Sequence, residues 1–118
     1  MDISTRPTYV ESTHSESVAS ARSFVDRMKA LTSHLPDHAC LVEPVLTPRF
    51  VPTCSDALLQ GLGELAEQTG IRVQSHLAEA RDLMKTVQES RGMSDINVFE
   101  RVSRFTKRVV NTSDKTDY

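Results

Sequence analysis

At 118 residues, with 38% hydrophobic and 25% charged side chains, the chain has room for one modest core, and its composition excludes wholesale disorder. Fourteen basic against sixteen acidic side chains leave a formal charge of -2, the wrong sign for holding a phosphate backbone by counterion release, so nucleic acid is not an expected partner. No apolar segment approaches bilayer-spanning length and the first seven residues lack a leader-like pattern, so the expectation is a cytoplasmic chain with no membrane partner.

The first dozen residues are polar and carry Pro7, after which Thr13 and Glu16 stand three apart as in a helix capping box. Val18, Ala21, Phe24, Val25, Met28 and Leu31 follow at helical spacing and stop before Pro36, predicting an amphipathic helix that must lie on something. His34, His38, Cys40 and Cys54 can be written as a four-ligand zinc set. Their spacing fits no common paired-knuckle pattern, however, and two cysteines without a leader read better as free thiols. From Cys40 to Thr47 a nearly continuous apolar run predicts a short buried strand, with Pro44 in tension with a fully hydrogen-bonded position.

Thr53 or Ser55 can cap a helix whose buried face is Leu58, Leu59, Leu62, Leu65 and Ala66, and Gly70 is placed to end it in a left-handed conformation. Ile71 to His76 alternates apolar and polar side chains and predicts a second strand, which with the first and the intervening helix makes a parallel βαβ unit. A third helix is expected over Glu79 to Glu89 with Ala80, Leu83, Met84 and Val87 inward and Gly92 beyond its end. Ser94 can cap a short last helix carrying Ile96, Phe99 and Val102. From Thr106 to Tyr118 no periodicity is sustained, and the tail is read as frayed or disordered. The fold class is α/β, and a sheet of about two strands leaves unpaired edges.

Ligand sites in parallel α/β structures gather at the carboxyl ends of strands, and two motifs fall there. Arg49 and Phe50 follow the first strand, a planar fork of donors beside a stacking face that together suit a flat, carbonyl-bearing heterocycle. Read alone, the pair fits an exposed arginine beside a core phenylalanine better. His76 and Glu79 follow the second strand, and metal hydrolases use both types: imidazole as ligand, carboxylate as proton carrier. A lone His-x-x-Glu is more often a surface histidine followed by a glutamate that complements a helix dipole. His14, His34 and His38 lie in polar or loop contexts and read as solvated.

Taken in order, Leu41-Val42-Glu43-Pro44-Val45-Leu46-Thr47-Pro48-Arg49-Phe50, Cys54-Ser55 and Gln74-Ser75-His76-Leu77-Ala78-Glu79-Ala80-Arg81 resemble guanine deaminase, a family of zinc-dependent amidohydrolases. The resemblance runs from about Met1 to Arg101 and implies an incomplete (β/α)8 TIM barrel, with about two parallel strands and their flanking helices in residues 1–101 and a divergent tail over 102–118. It implies that His76 is a zinc ligand, that Glu79 is the catalytic proton shuttle, and that Arg49 and Phe50 hold the purine base together with His76 and Glu79. The implied reaction converts guanine to xanthine and ammonia, zinc lowering the pKa of a bound water and Glu79 moving its protons.

The family's His-x-His pair, a later strand histidine and a final aspartate are missing from the 118 residues, so the resemblance implies no turnover by the chain alone, and the tail reads as foreign sequence from a truncated or misread gene. Two other readings stand beside it. One is a non-catalytic interaction protein that uses its open strand edges. The other is an amidohydrolase acting on a different purine or a pterin. A homodimeric parent is left open.

Overall fold

A computed structural model describes residues 1–3, 8, 10–103 and 109–111, with residues 102, 103 and 109–111 described by backbone alone. Helix α1, His14–Thr32, starts where Thr13 Oγ1 accepts the Glu16 N–H at 3.1 Å, as the capping pattern predicts. Its inner stripe is narrower than expected. Val25 is fully buried and Val18 and Ala21 pack against the core, whereas Phe24 and Leu31 are exposed because the helical turn carries them past the edge of the contact.

Strand β1 is only Val45–Leu46. The longer strand expected over Cys40 to Thr47 is not formed: Leu41 is 89% exposed and Val42 63%. Pro44, which has no N–H to give a ladder, stands just before the pairing begins. Helix α2, Asp56–Thr69, matches expectation at both ends and along its face. Ser55 Oγ accepts the Leu58 N–H at 3.1 Å, Gly70 closes the helix at φ +76°, and Leu58, Leu59, Leu62, Leu65 and Ala66 are all buried. The Ser55 N–H in turn donates to Asp2 Oδ1 at 2.8 Å, and its hydroxyl donates to Asp2 Oδ2. Gly61 lies where α1 crosses α2, and a Cβ there would stand 2.8 Å from Val18 Cγ2, so the absent side chain lets the helices approach.

Strand β2, Arg72–Ser75, runs parallel to β1 with Val45 opposite Arg72 and Leu46 opposite Val73. Helices α3, Arg81–Arg91, and α4, Asp95–Ser103, follow, and Gly92 at φ +69° separates them. The inner face of α3 is narrower than expected. On α3 only Val87 is buried, while Ala80 and Met84 are exposed. On α4 the turn begins at Asp95, so Asp95, Val98 and Phe99 share the inner face and Ile96 points out at 55% exposure. Arg91 ties the end of α3 to the start of α2, donating to the Cys54 carbonyl at 2.9 Å and pairing with Asp56.

Strand β3, Val109–Asn111, pairs parallel with β2 and completes the order β1-β2-β3. The expected two strands are therefore three among the described residues, and part of the tail read as unstructured is a strand. Two adjacent valines suit a pleated surface, and the edge of β2 offers unpaired backbone groups. The other tail residues, 104–108 and 112–118, lie outside the described residues.

The core gathers between the sheet and the helices. Along β2, Val73, Ser75 and Leu77 turn inward, and the alternation sends Arg72, Gln74 and His76 to the opposite face. Among the described residues no helix is long and apolar enough to cross a membrane.

Candidate active site

Both strand-end motifs extend past the last ladder residues, and one backbone group joins them. The carbonyl of Arg49 accepts the His76 N–H at 3.0 Å and the Ser75 hydroxyl at 3.3 Å. Two residues further back on each strand, Gln74 Nε2 donates to Thr47 Oγ1 at 3.0 Å. These bonds set the segment Thr47 to Phe50 beside the segment Gln74 to Glu79 at the carboxyl end of the sheet. Parallel α/β topology brings ligand-binding groups together at this end.

On the first segment the Arg49 guanidinium lies 5.3 Å from the centre of the Phe50 ring, a cation–π arrangement that gives the flexible side chain a preferred direction. Arg49 is exposed and Phe50 is half-buried, so Phe50 is not the core residue that the plainer reading takes it for. On the second segment His76 and Glu79 are both exposed and Leu77 between them is buried. The backbone turns at Ala78, whose φ is +51° and whose N–H donates to Asp95 Oδ2 at 3.1 Å. Asp95 is 4% exposed. Sequence reasoning missed this residue, because a bond reaching seventeen positions back has no local signature and an aspartate after Ser94 reads simply as a first-turn acid.

No group of three or more His, Cys, Asp or Glu side chains gathers among the described residues. The alternative set of His34, His38, Cys40 and Cys54 is accordingly not assembled: Cys54 is fully buried and the other three are exposed. His76 is thus part of no group of three or more such side chains among the described residues. A cleft of about 320 Å³ lies beside β1, lined by Phe24, Val45, Leu46, Pro48, Leu58 and other residues. Of the segment Thr47 to Phe50 it is lined only by Thr47 and Pro48, and its lining contains neither Arg49 nor His76.

Burial pushes the Cys54 thiol above its ordinary pKa, outweighing a hydrogen bond from Thr53, whereas Cys40 is exposed. A disulfide-exchange reagent is expected to titrate one thiol in the native chain, Cys40, and the second only in denaturant. Rapid release of both without denaturant would contradict the burial of Cys54.

No family model matches the chain. It is 39% identical over 79 residues to guanine deaminase of Dictyostelium discoideum, an alignment covering 67% of this chain and 16% of that protein. Its fold overlays on the crystal structure of guanine deaminase from C. acetobutylicum, which holds guanine in its active site, with a TM-score of 0.78 and 28% identity over 92% of this chain and 24% of that one. It also overlays on a zinc complex of atrazine chlorohydrolase from Arthrobacter aurescens TC1, with a TM-score of 0.73 over 91% of this chain and 22% of that one, where 20% identity makes the likeness one of fold alone. Sequence identity and structural overlay thus point the same way: the chain belongs to the guanine deaminase family and spans 16% of the length of its Dictyostelium relative.

Proposed function

We infer that the chain supplies the base-holding edge and one corner of the metal centre of an enzyme that hydrolyses guanine to xanthine and ammonia. The observation that carries this is the shared Arg49 carbonyl, which sets the two strand-end motifs side by side. The three parallel strands in sequence order, with helices between them, are a section of a (β/α)8 barrel in this reading. Residues 1–101 are its barrel segment, and the tail over 102–118 lends β3 to the sheet.

Each site residue has a task suited to its chemistry. Arg49 offers its planar donors to a ring carbonyl, and Phe50 offers the base a stacking face while directing the guanidinium. The exposed imidazole of His76 is a metal ligand, and its ring borders the base. Glu79, three residues on and equally exposed, takes a proton from the attacking water and delivers it to the departing amine.

Zinc would supply the activated water. A hydrolytic zinc uses about three protein ligands and no group of three gathers among the described residues, so in this reading His76 is one ligand and the others come from side chains outside them.

A segmental exchange tests the proposal. Residues 10–103 of this chain replace the structurally overlaid segment of the C. acetobutylicum deaminase. The exchanged enzyme is expected to keep measurable guanine hydrolysis and to lose it with His76→Ala. A folded, zinc-loaded exchange product without activity, or one indifferent to His76→Ala, overturns the proposal.

A further inference from the structure

We propose that Asp95 is a positioning residue for the segment His76 to Glu79, holding Ala78 in the left-handed conformation that leaves both side chains on the exposed strand end. The idea rests on the deaminase reading above for its purpose, though not for its geometry. Ala78, at φ +51°, is the one positive-φ residue other than glycine among the described residues, and it lies inside the His-x-x-Glu spacing. A residue with a Cβ is strained in that region, so the surrounding structure must enforce it.

The enforcing contact is the bond from the Ala78 N–H to Asp95 Oδ2 at 3.1 Å. Asp95 is 4% exposed and Ala78 lies at the surface, so the acceptor end of the bond is the end shielded from competing water. Asp95 belongs to the first turn of α4, and Val98 at 1% and Phe99 at 3% exposure anchor that helix in the core. The turn is thereby clamped to a packed element. On the near side Leu77, 6% exposed, points inward between the two outward side chains. A first-turn aspartate serving only the helix dipole would have no reason to be buried against the backbone of a distant loop.

The test uses amide NMR on the full 118-residue chain. The Ala78 amide is expected to exchange with solvent at least about tenfold more slowly than a free-loop amide. Asp95→Ala should return it to the free-loop rate and displace the Glu79 and His76 resonances, while Asp95→Asn, which keeps an acceptor, should retain the native pattern. Adding Ala78→Gly to Asp95→Ala should restore the native resonance positions of Glu79 and His76, because glycine enters the left-handed region freely, while leaving the loss in urea midpoint unrepaired.

If the glycine restores nothing, Asp95 serves only to start α4 and the proposal is overturned. If Asp95→Ala does not fold, the wild-type measurement decides: an unprotected Ala78 amide overturns the proposal and a protected one supports it. None of these readouts needs zinc or guanine, so their failure is distinguishable from failure of the deaminase reading.

Discussion

In the exchanged deaminase, Glu79→Gln is expected to lower kcat by about 10²–10⁴-fold, the usual contribution of a positioned acid–base group. The glutamine is nearly isosteric and keeps an acceptor, so the chain should fold and hold its base as before. KM for guanine should move by less than about threefold, because in the proposed arrangement Arg49 and Phe50 supply most of the hold on the base, glutamine keeps the Glu79 acceptor, and the lost step is proton transfer. A pure rise in KM with kcat unchanged would assign Glu79 to binding and remove it from the chemistry. The exposure of Glu79 and His76 at the strand end motivates this expectation: His76 is set outward by the alternation that buries Val73, Ser75 and Leu77, and Glu79 by the turn at Ala78 that breaks it.

The largest expected effect on stability comes from α2. Leu58 is 1% exposed, lies in the core cluster and also borders the cleft beside β1. Leu58→Ala should cost about 2–5 kcal/mol, from lost transfer free energy plus an incompletely filled cavity. Small domains carry roughly 5–15 kcal/mol in all, so the substitution should remove a large share of the total and shift the urea midpoint sharply downward. Leu31, 66% exposed on α1, provides the contrast, since Leu31→Ala should change stability by less than about 0.5 kcal/mol. Equal losses at the two positions, followed by circular dichroism in urea, would contradict the packing described.

What was legible in the sequence divides along physical lines. Helix α2 could be read completely, with its cap, face and left-handed end, because each of those signals is local and all of them agree. The continuous apolar run into β1 was misleading. Apolar character predicts burial only where the chain has something to lie against, and Leu41 and Val42 stay in solvent before the backbone reaches β2. Of the apolar residues read onto α4, Phe99 is buried, Ile96 stands in solvent one position past the buried Asp95, and the side chain of Val102 lies outside the described residues. Strand β3 could not be seen in a three-residue segment whose pairing partner lies 36 positions earlier in register.

At the site, the residue types were visible and their company was not. Arg49, Phe50, His76 and Glu79 stood out through their chemistry and through resemblance, while their adjacency depends on a carbonyl that any residue at position 49 would present. The clamp from Asp95 to Ala78 is likewise a long-range bond between a side chain and the backbone, with no periodicity to announce it.

The claim that these residues form one edge and one corner of a larger centre is tested most directly by incubating the purified 118-residue chain with zinc and guanine and following guanine absorbance and ammonia release. The account predicts no zinc-dependent conversion above background, because one ligand, His76, gives too little affinity and geometry for a hydrolytic metal. Measurable conversion that disappears with Glu79→Gln would contradict it.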